Sequence, residues 1–291
     1  MHMKAIATIN FKGGVGKTTI TWLLACHIAQ RGGQKVLLCD SDAQMSLTTA
    51  LMIDEETGTY HPQFESWYEG RHIKKERTLL RALDAYDEYA RGVKSYFDFP
   101  IDTDFIYEVQ PNLHFIPSLT DLYWLELDIY RPENIKGFVR ALLGKIDHSK
   151  YHYDIVFFDC PPSFTLLSFS VLSNCSLLLI PVNPDAFAAK GLAIMVDGLK
   201  SRIQPWPEPK IAVFMNKARL WRDSLTRDTQ KFLDDVKKVK DDFAKKGTKI
   251  NVLDTYIPDR AGIRRAISLG GFPEEFRANI DALWKEIQIF L

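Results

Sequence analysis

The sequence predicts an α/β protein: a single doubly wound, mostly parallel sheet with helices on both faces. Three observations carry this. An apolar run from Ala5 to Ile9 meets the glycine-rich loop Lys12-Gly13-Gly14-Val15-Gly16-Lys17-Thr18-Thr19, which opens a helical pattern from Ile20 to Gln30. Two more short apolar runs, 35–39 and 154–158, deliver Asp40 and Asp159 at their ends, and strands that are apolar on both faces belong to sheets covered on both sides. Strand and helix patterns then alternate to the end of the chain, as parallel strands joined by helical crossovers require.

The first strand, loop and helix form a phosphate cradle. Backbone N–H groups at a helix N-terminus bind phosphate oxygens, and Gly13, Gly14 and Gly16 let the backbone around Val15 curl and approach closely. Lys17 is then placed for the β- and γ-phosphates, the Thr18 hydroxyl for Mg2+, and Thr19 for the α-phosphate. The general pattern asks for glycine where Phe11 stands, and a second lysine, Lys12, heads the loop instead.

The strand at 35–39 leads into Asp40-Ser41-Asp42-Ala43-Gln44. Acids at the C-terminal end of a parallel strand face the ligand crevice. Asp42 suits orienting an attacking water and Asp40 suits holding a water of the magnesium shell, the roles being interchangeable on sequence alone. Helix-capping acids on a solvated turn are the alternative.

All 291 residues are read as one domain, 1–291, with an acidic, aromatic-rich insertion at about 51–112. Within it Arg77 to Ala90 carries a helical apolar face and the remainder reads as ordered loop, a lid or a partner surface. A strand from Leu113 to Pro117 and helices from Asp121 to Leu127 and Glu133 to Ile146 follow. Asp159-Cys160-Pro161-Pro162 then ends the buried strand at 154–158, where an acid can hydrogen-bond water ligands of Mg2+.

Later elements are a strand from Ser176 to Val182, a helix from Phe187 to Arg202, a strand from Ile211 to Met215 ending at Asn216, a helix from Leu225 to Lys246 and a strand from Ile250 to Ile257. A short helix begins at Ile263. The closing helix, Glu274 to Leu291, carries more acids than bases, whereas an interfacial membrane anchor needs lysines and arginines, so it is expected to dock on the core.

Lys+Arg and Asp+Glu balance at 37 each. The balance hides an asymmetry: acids exceed bases by about nine from Asp54 to Glu133, and bases exceed acids by about eight from Lys190 to Arg265. An anionic partner is therefore expected on the second half. Four separated cysteines in apolar surroundings read as reduced packing residues, with Cys160 beside the expected site. Met1-His2 reads as a remnant ahead of a start at Met3.

The two-lysine loop, Asp40 through Gln44 and Asp159 through Pro162 together resemble the ParA and MinD superfamily of deviant Walker A ATPases, over most of the chain outside 51–112. That resemblance implies a slow, partner-stimulated ATPase using ATP and Mg2+. It implies that Lys12 reaches across an ATP-dependent homodimer to the partner's nucleotide, that Asn216 reads the adenine edge, and that Pro258 packs near the base. An amide carries the donor and acceptor that adenine needs, although an asparagine closing a strand is also an ordinary turn residue. No helix-turn-helix segment precedes the first strand, so the implied type is the short ParA form, with carboxysome-positioning ATPases of the McdA type among its members. Members bind nonspecific DNA as dimers and position plasmids, chromosomes or protein cargo with an adaptor protein, in the cytoplasm on the nucleoid. Lys217, Arg219, Arg222, Arg227, Arg264 and Arg265 are the expected DNA contacts, from the charge asymmetry. A MinD-like membrane positioner, which needs a basic amphipathic tail, and an electron donor like the nitrogenase iron protein, which needs cluster-bridging cysteines, are the alternatives.

Overall fold

The computed structural model describes residues 3–52, 78–97, 106–125, 130–222, 224–260, 262–263 and 272–291. Its centre is an eight-stranded sheet. The strands are β1 (Lys4–Thr8), β2 (Val36–Asp40), β3 (Tyr107–Gln110), β4 (Leu113–Ile116), β5 (Ile155–Asp159), β6 (Leu177–Val182) and β7 (Lys210–Met215). A separate hairpin of β8 (Leu220–Trp221) and β9 (Ser224–Leu225) precedes β10 (Ile250–Val252). Across the sheet the order is β10-β7-β6-β1-β5-β2-β4-β3, parallel everywhere except β3 against β4.

The helices are α1 (Lys17–Arg31), α2 (Ser46–Leu51), α3 (Leu79–Ala90), α4 (Pro132–Asp147), α5 (Leu166–Leu172), α6 (Ala188–Arg202), α7 (Arg227–Lys245) and α8 (Arg277–Gln288). β1, β2, β5 and β6 are buried at nearly every position, because helices cover both sides of the sheet. Phe115, Phe157, Phe158 and Phe214 fill the interior from three of the strands, β4, β5 and β7. α1 is buried from Ile20 to Ala29, sandwiched between the sheet and α8, and it therefore has no polar face to speak of. α8 turns Ile280, Leu283, Trp284 and Ile287 inward, so the closing helix docks on the core, as its charge pattern predicts. Among the described residues no helix is long and apolar enough to cross a membrane.

The structure departs from the sequence reading at element edges. Tyr107–Gln110, read as loop, is the antiparallel edge strand β3. Its mixed polarity hides it, but Pro111-Asn112, with Asn112 at φ 66°, is the kind of tight turn that joins two antiparallel strands. β10 stops at Val252 instead of Ile257. Beyond it the Asp254 and Thr255 N–H groups donate to the Glu286 carboxylate of α8 at 2.9 and 2.8 Å, and this pulls the chain out of the ladder until Ile257 N–H rejoins Met215 O. The helix expected at Asp121 to Leu127 is a 3-10 turn over Thr120–Trp124, and residues 126–129 lie outside the described residues. So does most of the 51–112 insertion, residues 53–77 and 98–105.

Candidate nucleotide site

The sheet register sets the site. Thr8 and Asp40 both stand beside Asp159, because β5 lies between β1 and β2 with Thr8 paired to Asp159 and Asp40 paired to Asp159. Three parallel strands thus present their C-terminal ends at one point, and the loop 9–16 leaves β1 directly above it.

Gly14 and Gly16 take φ values of +70° and +87°, the left-handed region that side chains resist. At Gly16 space is also short, since an added Cβ would meet Asn216 Nδ2 at 2.4 Å. Gly16 caps α1 without any side-chain acceptor, so the first-turn N–H groups of Lys17, Thr18 and Thr19 stay open to a ligand, with the positive end of the helix dipole behind them. Lys17 is buried; its Nζ lies back on the Asn10 carbonyl at 3.1 Å, and burial lowers its pKa against the opposing pull of Asp159 and Asp42.

The three acids have different surroundings. Asp40 is fully used: Oδ1 accepts the Asp42 N–H at 3.0 Å, and Oδ2 accepts the Thr48 N–H and hydroxyl at 2.8 and 2.7 Å. Burial nevertheless pushes its pKa up to about 7. Asp42 binds the Gln44 N–H through Oδ1 at 2.9 Å, and its side chain lines the cavity, with a pKa raised by burial. Asp159 is fully buried and neither of its carboxylate oxygens has a partner of ordinary hydrogen-bond geometry, although the Thr18 hydroxyl is near enough to favour its charged form. Burial, then Asp40, raise its pKa well above the usual carboxylate range. A buried, unpartnered carboxylate is costly unless something cationic completes it. Asp159 and Thr18 accordingly fit Mg2+, with Asp42 facing the same space.

A cavity of about 400 Å³ opens over the loop, walled by Lys17, Thr18, Thr19, Asp42, Pro258 and Arg260. Asn216, at the end of β7, is buried against it, with Nδ2 donating to Val15 O at 2.7 Å and Oδ1 unpartnered. Lys217, expected as a DNA contact, lines this cavity, its Nζ donating to Gly14 O at 2.6 Å. Lys12 turns away from the cradle and pairs with Asp185 at 2.5 Å, its side chain 47% exposed.

Arg219, Arg222 and Arg227 are exposed around the β8–β9 hairpin, where Arg222 lies over the Trp221 ring at 6.0 Å. Arg264 and Arg265 lie outside the described residues. Sequence reasoning misses Asp185, although an acid just past the apolar β6 run carries the same signal that identifies Asp40. It also misses the hairpin, whose strands are two residues each and too short for any periodicity.

A glycine-rich loop between a central parallel strand and a helix, with acids on the neighbouring strand ends, defines the P-loop class of nucleoside triphosphatases. Residues 3–210 match the family model described as AAA domain. A ParA family protein of Chlamydia trachomatis is 32% identical over 69% of this chain and 68% of its own length. The chromosome-partitioning ATPase Soj of Treponema pallidum is 27% identical over 69% of this chain and 65% of its own length. The fold matches an ATP complex of McdA from Cyanothece with a TM-score of 0.70 at 19% identity, over 99% of this chain and 97% of that one. The chain belongs to the ParA family of ATPases. Solved proteins of this fold include complexes with ATP, with ADP and magnesium, and with an ATP analogue and magnesium.

Proposed function

We propose that the protein is a slow, partner-stimulated ATPase that dimerises on Mg·ATP, binds nonspecific DNA as the dimer and so positions a plasmid, a chromosome or a protein cargo such as carboxysomes through an adaptor protein, in the cytoplasm on the nucleoid. The observation that carries this reading is Lys12. It heads the loop yet contributes no side chain to its own cradle, and it lies exposed where Asp185 also accepts the Phe187 N–H. Phe187 is 72% exposed. An exposed cation beside an exposed aromatic ring is a natural surface for a second copy whose nucleotide needs neutralising.

In this reading the open N–H groups of the loop and first helical turn hold the phosphates and Lys17 swings from Asn10 O to the β- and γ-oxygens. Bound Mg2+ supplies charge neutralisation on the phosphates, with Thr18 and Asp159 as its holders. Asp42 orients water, while Asp40 acts through the loop it fixes. Asn216 Oδ1, buried and unpartnered, is available to accept from the adenine amine, with Pro258 against the base. Arg219, Arg222 and Arg227 supply the DNA contacts among the described residues, with Arg264 and Arg265 proposed as further contacts. A MinD-like membrane role is disfavoured because α8 spends its apolar face on the core.

The test uses Lys12→Ala with a non-hydrolysable ATP analogue in size-exclusion chromatography with light scattering, followed by anisotropy on two unrelated duplexes over a salt series. The variant is expected to keep nucleotide binding and lose both dimer and DNA affinity. The parent should bind both duplexes alike and lose affinity steeply with salt. A dimeric variant with parental DNA binding would remove Lys12 from the switch.

A further inference from the structure

Asn216 and Lys217 touch consecutive carbonyls of the phosphate loop. Asn216 Nδ2 donates to Val15 O at 2.7 Å and Lys217 Nζ donates to Gly14 O at 2.6 Å. We propose that this dipeptide is a clamp that presets the loop's peptide orientations, making Asn216 and Lys217 positioning residues for phosphate binding.

A trans peptide is planar, so its C=O and the N–H of the next residue point in opposite directions. Holding Gly14 O and Val15 O against the end of β7 therefore turns the Val15 and Gly16 N–H groups the other way. That is the orientation a phosphate cradle needs. Glycine-rich loops gain close approach at the cost of many alternative conformations, and without an outside restraint these two peptides would flip freely. Two donors from one neighbouring strand end remove that freedom before the nucleotide arrives, which is how preorganisation raises affinity.

The clamp rests on a fixed base. Asn216 N–H is held by Val182 O at 2.7 Å and Ala218 N–H by Ile257 O at 2.8 Å, while Asp259 N–H returns to Ala218 O at 2.9 Å. The strand end is thereby tied to β6 and to the segment after β10. Lys217 itself sits at φ +54°, a conformation that disfavours a lysine relative to glycine or asparagine. Its side chain is what the position gains for that strain. Gly16 completes the fit, since any side chain there would collide with the Asn216 amide.

The clamp acts at the nucleotide site alone and is independent of dimerisation and DNA, so ADP and tripolyphosphate, each with Mg2+, are the probes. Lys217→Met keeps the aliphatic stem and removes the donor; Asn216→Ala removes the other. Calorimetry should find that each variant binds ADP about tenfold more weakly, the scale of one to two hydrogen bonds. Tripolyphosphate binding should fall by the same factor for Lys217→Met, because the clamp acts on the phosphates and not on the base, and by a smaller but clear factor for Asn216→Ala, whose ADP loss also includes the proposed adenine contact. The Lys217→Met deficit should be equal at low and high salt, and Lys217→Arg should recover most of it. Hydrogen exchange of the nucleotide-free protein should report faster exchange across residues 12–17 in both variants, with melting temperature little changed for Lys217→Met. Four results would overturn the clamp: parental loop exchange; a tripolyphosphate affinity untouched by Asn216→Ala, which would leave Asn216 as an adenine reader only; a Lys217→Met deficit that vanishes with salt, which would make its ammonium a direct phosphate contact; or a loss confined to DNA binding.

Discussion

Asp40 on β2 and Asp159 on β5 are the same residue type, adjacent in the sheet and buried to the same degree, yet they stand in opposite conditions. Asp40 faces the loop it leads into, and three donors from Asp42 and Thr48 surround it. Thr48 in turn accepts the Ser118 N–H at 2.9 Å, and the Ser118 hydroxyl donates to Asp42 O at 2.7 Å, so the Asp40 side is a closed polar network that welds the ends of β2 and β4 together. Asp159 faces the phosphate loop with neither oxygen in a hydrogen bond of ordinary geometry and only the Thr18 hydroxyl nearby. The difference separates two states of a buried carboxylate: one is satisfied by its own fold, the other is left incomplete, as the proposed role in holding a ligand's cation requires.

The largest effect that can break this comparison is on turnover. Asp159→Asn should cut Mg-dependent ATP hydrolysis by about two to three orders of magnitude, the scale at which a single electrostatic stabiliser matters in a dry site. An isotopic phosphate-release assay under saturating ATP measures it. Parental turnover would show that the incomplete carboxylate is not part of the chemistry. Hydrolysis lost equally in Asp40→Ala without loss of stability would erase the contrast.

The next effect is on folding. Asp40→Ala removes one acceptor from three buried donors and should destabilise the nucleotide-free protein by about 2–4 kcal/mol, in the range for breaking a buried hydrogen-bond network. Asp159→Asn gives up at most the loose Thr18 hydroxyl contact and removes an uncompensated buried charge, so urea melts should find it as stable as the parent or more so. Two variants moving in the same direction would mean that the two carboxylates are equivalent after all.

The contrast also explains how much of the site is legible in the amino-acid sequence. Strand ends, the loop and the three acids are legible because each rests on a local pattern: an apolar run of both-face-buried length, then glycine or aspartate. Nothing local distinguishes Asp40 from Asp159, since the distinction lies in Thr48 and Ser118, the latter 76 residues away from Asp42. Sequence reasoning misses the loop contact of Lys217 for the same reason. As a lysine after a strand it counts toward a basic surface, and only its contact with Gly14, across 203 residues, moves it into the nucleotide cavity. The edge strand β3 and the early end of β10 are hidden because tertiary partners, β4 and Glu286, decide them and not the periodicity of their own residues.

The smallest expected effect is the pH dependence of that stability difference, and its sign follows from the direction of the shifts. Asp159 is held well above the ordinary carboxylate range by burial, and Asp40 is pushed up to about 7 by the same cause. A carboxylate whose pKa is higher folded than unfolded binds more protons in the native state, so stability declines as pH rises from the unfolded value, about 4, through the folded one. Buried His27 and half-buried His114 act in the opposite sense, because burial lowers their pKa and their charging destabilises the fold as pH falls below about 6.5. The parent's own pH profile therefore mixes both signs, and the informative quantity is the difference between parent and Asp159→Asn, from which the histidines cancel. With metal chelated and no nucleotide, the advantage of Asp159→Asn should be near zero at about pH 4, where both side chains are neutral, and should grow as pH rises toward about 8. Saturating Mg·ADP should shrink or reverse it at the upper end, because the charged Asp159 then has a cation to complete it. An advantage that is flat with pH, or unaffected by Mg·ADP, would mean that Asp159 finds its compensation inside the protein, and the distinction between the satisfied and the waiting carboxylate would fail.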